Sequence, residues 1–267
     1  MTATMDPDLS DRTAFAQRLA DAARDVIRPY FRRRIDVTDK GAQGFFDPVT
    51  DADKGAERVM RDMIANTYPA DGIIGEEYGE RSGDSGFVWI LDPIDGTRAF
   101  IAGQPLWGTL IALEQNGVPV IGVLDQPFLD ERFTGAHGMA EFRDAASTER
   151  LKTRSCAGLA DAVITTTHPM LHFKDAERQR YFDVEKRCRL SRYGGDCYGY
   201  ALVAMGFVDL VIETDLKHWD IAPLIPIIEG AGGIVTNWEG RPRIDGGNVV
   251  AAGDPRVHAE ALKILSR

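Results

Sequence analysis

Cysteine is scarce. The 267 residues hold three, Cys156, Cys188 and Cys197, an odd number without Cys-x-x-Cys spacing, which argues against both a disulfide framework and a structural zinc site and leaves reduced thiols as the reading. Basic runs are missing as well: 31 Lys+Arg against 41 Asp+Glu give a formal charge of −10, so neither nucleic acid nor an anionic membrane surface is expected as a partner. No uninterrupted apolar stretch reaches the length needed to cross a bilayer, and the opening MTATMDPDLSDRTAF is acidic with no hydrophobic leader core. We therefore expect a soluble, unexported, cytoplasmic protein. His168, His172, His218 and His258 show neither His-x-x-x-His nor His-Glu-x-x-His spacing, which disfavours a zinc hydrolase.

What is present is enough for one large globular unit or two modest domains sharing a core, with 44% hydrophobic and 27% charged residues. From about Leu9 to Tyr30, apolar residues recur every three or four positions, which predicts an amphipathic helix. The Gly-rich segment from Asp39 to Pro48, carrying Lys40, reads as a loop or loose hairpin. Thr50-x-x-Asp53 forms a capping box opening a second helix with Val59, Met60, Met63 and Ile64 on its apolar face. Strand-like runs follow at Ile73-Ile74, Phe87–Leu91, Leu110–Leu113 and Val118–Leu124, the last two joined by Asn116-Gly117, whose tolerance of positive φ suits a tight hairpin. An antiparallel sheet is expected in this half. The polar stretch around Thr134 to Arg154 marks a boundary, giving halves 1–145 and 146–267. Beyond it, strands at Ala162–Thr165, Val208–Ile212 and Ile234-Val235 alternate with helices, the last from about Pro255 to Leu265, which points to an α/β layer. Pro226 should kink or shorten the helix after Asp220.

The chemistry concentrates where Val88-Trp-Ile-Leu runs into Asp92-Pro-Ile-Asp95-Gly-Thr97. Proline is expected to stop the strand, and Gly96 to allow a sharp turn into a helix starting near Thr97, so that both carboxylates face one spot. An ordinary Asp-Pro turn with a helix cap is the bland alternative at even weight. Ile73-Ile-Gly-Glu76-Glu77 is a second apolar run ending in acids, and Asp220 opens a later helix. Carboxylates gathered from several strand ends suit a hard cation such as Mg²⁺. Backbone N–H groups of Gly96 and Thr97 would then offer a phosphate oxygen its donors without any lysine. Taken singly, Asp53 and Asp220 read as capping residues. Cys197 reads as a small buried residue rather than a nucleophile. Trp107 is balanced between sheet core and a wall against a substrate ring.

Two stretches, Trp89-Ile-Leu-Asp-Pro-Ile-Asp-Gly-Thr97 and Trp219-Asp-Ile-Ala-Pro-Leu-Ile-Pro-Ile-Ile-Glu-Gly-Ala-Gly-Gly233, with Gly-Glu-Glu77 upstream, resemble the motifs of the Mg²⁺-dependent inositol monophosphatase superfamily over nearly the whole chain. The resemblance implies an α/β (α+β) fold, an αβαβα layered sandwich with an antiparallel sheet in the N-terminal half and a mixed sheet in the C-terminal half, and a homodimer. It implies two or three Mg²⁺ ions held by Glu76, Asp92, the carbonyl of Ile94, Asp95 and Asp220, with Asp92 as the bridge. It makes Glu76, assisted by Thr97 and Asp53, the group that positions water, and gives the phosphate to Gly96 and Thr97. Lys40 falls where the family carries a lysine on a loop. Asp95-Gly-Thr-Arg-Ala-Phe and Arg192-Tyr-Gly-Gly-Asp-Cys-Tyr198 look like the histidinol-phosphate phosphatase branch, with Asp95, Gly195, Asp196, Glu213 and Asp220 as substrate contacts. Carboxylates there would suit an ammonium and an imidazole. His218-Trp219-Asp220 leans instead towards the inositol phosphatases, so an inositol or other sugar phosphate stays the second reading. A non-catalytic metal-binding scaffold is the third.

Overall fold

The structure, a computed structural model, describes residues 7–34, 38–39, 48–242 and 244–267. Helix α1 (Pro7–Ile27) buries Phe15, Leu19, Ala23 and Ile27 along one stripe, the face its periodicity marks. Strands β1 (Thr38–Asp39) and β2 (Pro48–Val49) pair antiparallel, and the loop between them, with Lys40, lies outside the described residues. Helix α2 (Asp51–Thr67) starts at the expected capping box: Ala52 N–H donates to Thr50 Oγ1 at 3.1 Å and Thr50 N–H to Asp53 Oδ2 at 2.9 Å. Both helices pack on each other and on one face of the first sheet.

That sheet contains β3 (Gly72–Gly75), β4 (Gly79–Arg81), β5 (Phe87–Asp95), then, after the short helix α3 (Thr97–Ile101), β6 (Gly108–Gln115), β7 (Val118–Gln126), β8 (Glu131–Ala136), β9 (Met139–Arg143) and β10 (Thr148–Arg150), in the order β10-β9-β8-β7-β6-β5-β3-β4. Asn116 and Gly117 make the β6–β7 turn at φ 52° and 74°. Pairing is antiparallel throughout, as expected, except between β3 and β5, which run parallel because the chain turns back through the edge strand β4 before β5 begins.

The second sheet is mixed. The chain passes through β11 (Val163–Thr166), α4 (Pro169–His172), α5 (Asp175–Glu185), β12 (Leu190–Tyr193), α6 (Asp196–Ala204), β13 (Leu210–Leu216), α7 (His218–Ile221), α8 (Leu224–Gly230), β14 (Ile234–Asn237), β15 (Gly247–Ala252) and α9 (Pro255–Leu265). The strand order is β12-β11-β13-β15-β14, with β12, β11 and β13 parallel and the other pairs antiparallel. Helices α6 and α8 lie between the two sheets and α5 and α9 cover the far face, which completes an αβαβα sandwich with a separate apolar core at each helix–sheet junction.

The region after Asp220 is two short helices rather than one. Pro226 falls in the first turn of α8, where its missing N–H would have had no intrahelical partner. Helix α8 lies flush on β7 and β8 because Gly122 and Gly135 are cross-strand partners there. A Cβ on Gly122 would collide with the Pro223 carbonyl, and one on Gly135 with the Pro226–Ile227 backbone. This close approach brings α7, and Asp220 with it, against β5 and β6.

Candidate active site

In an unbroken strand Asp92 and Asp95, three positions apart, would face opposite sides of the sheet. Here β5 continues through Pro93 to Asp95 instead of stopping at the proline. Against β6, Asp92 pairs with Leu110 and Asp95 with Gly108, so β5 spends one extra residue over this interval. The bulge resets the alternation and absorbs a residue that has no N–H to give to the ladder. Ile94 N–H donates to Asp92 Oδ1 at 3.1 Å, and Thr109 Oγ1 donates to the freed Pro93 carbonyl at 2.8 Å. Gly96 then turns the chain at φ 81°, and a Cβ there would stand 3.1 Å from Asp196 and 3.2 Å from Trp107, so two constraints select glycine. Thr97 begins α3 and donates its hydroxyl to the Ile94 carbonyl at 2.9 Å.

Two links close the site. Cys197 N–H, in the first turn of α6, donates to Asp95 Oδ2 at 2.8 Å, and Lys217 N–H donates to Asp220 Oδ2 at 2.7 Å, the capping arrangement that starts α7. Asp92, Asp95 and Asp220 each bring one oxygen within 4.8 Å of the others. Glu76 follows β3, extends the parallel pairing through its N–H to the Leu91 carbonyl at 3.1 Å, and hydrogen-bonds Asp92 through its side chain. The result is a cavity of about 500 Å³ lined by Glu76, Asp92, Ile94, Asp95, Gly96, Thr97, Asp196, Glu213 and Asp220 among others.

Burial is the main force on these acids. Asp92 is held well above the usual carboxylate range by loss of water first, then by the charges of Glu76, Asp95 and Asp220. Asp95 is pushed up to about 6 by burial and by Asp196, against the pull of the Cys197 bond. Asp220 rises to about 7 through burial and Asp95, offset by Lys217. Also in the lining, Asp196 is at about 7 from burial and the charge of Glu213, with Arg98 opposing. Glu213 is also at about 7 from burial, although Thr167 donates to it from both its N–H, at 2.6 Å, and its hydroxyl, at 2.9 Å. Packed acids that repel one another suit a cation, and a cluster of carboxylate oxygens without imidazole or thiolate suits a hard one.

Two of the residues singled out in the sequence do not line the cavity. Asp53 is buried at the start of α2, bonded to Thr50, and raised to about 6 by burial, with the Glu77 charge adding to the rise. Gly195 lies one residue behind the lining, which Gly194 and Asp196 supply. Trp107 is core: it is fully buried, with Phe100 at 4.8 Å and Phe31 at 5.2 Å. Cys197 touches the cavity, but burial drives its thiol well up, as an inert residue requires. Sequence reasoning overlooked Arg98, Thr167 and Lys217 as site residues and set His168 and His172 aside for want of zinc-ligand spacing; all five are in the lining. The signal available for Thr167 and His168 was their place just past the carboxyl end of a parallel strand, where ligands gather in α/β sheets. His218 and His258 are engaged elsewhere, with Glu114 at 2.7 Å and Thr236 at 2.8 Å.

The profile of the inositol monophosphatase family matches residues 8–267. The bifunctional phosphatase IMPL2, chloroplastic, of Arabidopsis thaliana is 45% identical over 97% of this chain and 76% of its own length. The histidinol-phosphatase of Mycobacterium tuberculosis is 35% identical over 96% of this chain and 98% of that protein. Among solved structures, an inositol monophosphatase from Zymomonas mobilis, 42% identical, superposes with a TM-score of 0.86 over 98% of this chain and 100% of the other. Matching nearly end to end in profile, sequence and fold, the chain belongs to the inositol monophosphatase family.

Proposed function

We propose that this family phosphatase is a Mg²⁺-dependent phosphate monoester hydrolase that converts L-histidinol phosphate and water to L-histidinol and phosphate. The observation that carries the reading is the convergence of Asp92, Asp95 and Asp220 in one cavity with two further acids, the half-buried Asp196 and the buried Glu213, beside them. The first group suits cations that face a phosphate. The second suits a leaving group with an ammonium and an imidazole, through charge-assisted hydrogen bonds.

Glu76, Asp92, the Ile94 carbonyl, Asp95 and Asp220 would hold two or three Mg²⁺ ions, which supply charge neutralisation at the phosphoryl oxygens and a lowered pKa for water. Glu76 orients the attacking water and accepts its proton. The Thr97 hydroxyl, its proton committed to the Ile94 carbonyl, keeps lone pairs with which to accept from that water. Asp53, whose acidic neighbour is Glu77, assists Glu76 as part of the surrounding acidic network, and the backbone N–H groups of Gly96 and Thr97 hold the phosphate. Asp196 and Glu213 accept from the leaving alcohol's cationic groups, with Gly195 shaping the turn that presents Asp196. We also take the protein to be a cytoplasmic homodimer acting on small molecules; among the described residues no helix is long and apolar enough to cross a membrane.

Inositol 1-phosphate is the second reading, favoured by His218-Trp219-Asp220 and by the similarity to the Zymomonas enzyme. Steady-state turnover of both esters by the purified protein in Mg²⁺ decides between them, with histidinol phosphate expected to have the higher kcat/KM. The reverse order replaces the substrate. No phosphate release from any monoester leaves a cation-binding scaffold.

A further inference from the structure

Glu57 lies on α2 one turn beyond Asp53, fully buried and outside the cavity lining. A carboxylate without solvent contact needs its lone pairs filled, and Glu57 fills them from three directions. Arg61 Nε donates at 2.6 Å, Glu77 N–H at 2.7 Å and Tyr78 N–H at 3.1 Å. Two of these donors belong to the turn that leaves Glu76. On its other side Glu76 is tied to β5 by its own N–H at Leu91. Gly75 completes the arrangement: a Cβ there would collide with the Glu57 carboxylate, so a glycine leaves the room that carboxylate occupies at the strand end. The backbone of Glu76 is thus clamped between β5 and one buried carboxylate.

We infer that Glu57 is the positioning residue for Glu76, fixing the turn so that the Glu76 carboxylate faces Asp92 in the cavity. The inference rests on the proposed reading of Glu76 as a cation-holding and water-orienting group. Glu57 touches neither substrate nor cation; it acts through two backbone N–H bonds. Replacing it by glutamine keeps the shape but sets an amide NH₂ against at least one of the three donors, so the turn has to shift. Carboxylates that orient a metal ligand in this way typically change metal affinity or activity about 10–100-fold when lost.

The experiment compares the native chain, Glu57→Gln and Val257→Ala, the last a cavity in the remote core under α9 that tests destabilisation alone. Mg²⁺ binding is followed by calorimetry without substrate, and the Mg²⁺ midpoint of activity is measured in parallel. Glu57→Gln should weaken Mg²⁺ binding and raise the midpoint about tenfold or more, with KM for the ester within about twofold. Val257→Ala should lower Tm and leave both Mg²⁺ readings unchanged. Native-like Mg²⁺ binding in Glu57→Gln, or an equal shift in Val257→Ala, overturns the inference. If Glu57→Gln does not fold, Gly75→Ala decides: it keeps the charge but pushes the carboxylate off the turn, so a raised midpoint supports the inference and an unchanged one overturns it. A native chain that binds no Mg²⁺ overturns the proposed cation site, and the inference with it. Native binding matched by Glu57→Gln overturns the inference alone.

Discussion

Lowering the pH should loosen Mg²⁺ from this site steeply, because each raised carboxyl has to give up a proton before it can ligate. With Asp220 at about 7 and Asp95 at about 6, both are largely ionised at pH 8. At pH 6 roughly one-tenth of Asp220 and half of Asp95 remain so. Together these two groups make Mg²⁺ binding about 20-fold weaker at pH 6 than at pH 8, and Asp92, raised in the same direction, adds to the loss. Binding should also release between about one and two protons per site from Asp95 and Asp220 at pH 6 and almost none from them at pH 8. Calorimetric titration at both pH values, each in two buffers of different ionisation enthalpy, reads affinity and proton release together. The thermal stability follows the same sign. An unfolded carboxyl titrates near 4. The cation-free fold therefore holds protons that the unfolded chain has lost, and the contribution of these acids is present below about pH 4 and disappears as pH rises through 6 and 7. Added Mg²⁺ should accordingly raise Tm more at pH 8 than at pH 6. Equal affinity at both pH values with no proton release would refute the picture of buried, mutually repelling ligands.

Three substitutions separate the parts of the site. Asp92→Asn should reduce turnover about a hundred- to a thousand-fold, from loss of several kcal/mol of charge stabilisation. The same change replaces a buried carboxyl that folding forces to hold a proton beside three other acids, so it should raise the Tm of the cation-free protein by about 2–4 °C for each kcal/mol of that cost relieved; a fall in Tm on calorimetric melting would contradict this. Gly122→Ala should cost about 1–3 kcal/mol by forcing α8 off the sheet, and should raise the Mg²⁺ midpoint by moving Asp220; an unchanged melting curve would show that the sheet yields instead. Glu213→Gln should lower kcat/KM for histidinol phosphate more than about tenfold while leaving an aryl phosphate whose leaving group has no cationic group within about twofold, as measured by phosphate release, because the lost partner is a charge-assisted bond to the leaving alcohol.

The parts of the fold that were legible are those whose signal is local. Thr50-x-x-Asp53 starts α2, Asn116-Gly117 turns the hairpin, and Pro255 opens α9 behind the Asp254 cap, because each depends on residues a few positions apart. The stretch read as a polar boundary holds the end of β8 and all of β9 and β10. Its strands β9 and β10 expose every second residue or all of them, and just ahead of it Arg132 in β8 breaks the apolar pattern as an inward residue, buried against Asp125, Nε to Oδ1 at 2.7 Å, with Arg24 on the same carboxylate at 2.8 Å. A charged residue that faces the core with its partner supplied from another strand looks, in sequence, like a solvated one. The acidic cluster was legible because proline, glycine and aspartate gather around β5. The bulge that makes Asp92 and Asp95 neighbours was not, since it exists only in the register with β6.

Register and neighbour choice also explain why the cavity is where it is. Among the described residues each of the two large sheets has parallel pairing in one place only: β3 with β5 in the first, and β12 with β11 and β13 in the second. Parallel neighbours deliver their carboxyl ends to the same side, and all five of these strands deliver lining residues. Glu76 follows β3, Asp92 and Asp95 end β5, Thr167 and His168 follow β11, Gly194 and Asp196 follow β12, and β13 carries Glu213 to Leu216. An all-antiparallel sheet would have sent alternate strand ends to opposite rims and divided these acids between them. The edge strand β4 and the crossovers after β11 and β12 are therefore functional elements, since they turn strands around so that the acids meet. The glycine pair under α8 does the same for Asp220, the one acid of the trio that arrives on a helix, by letting that helix sit against the sheet that carries the other two.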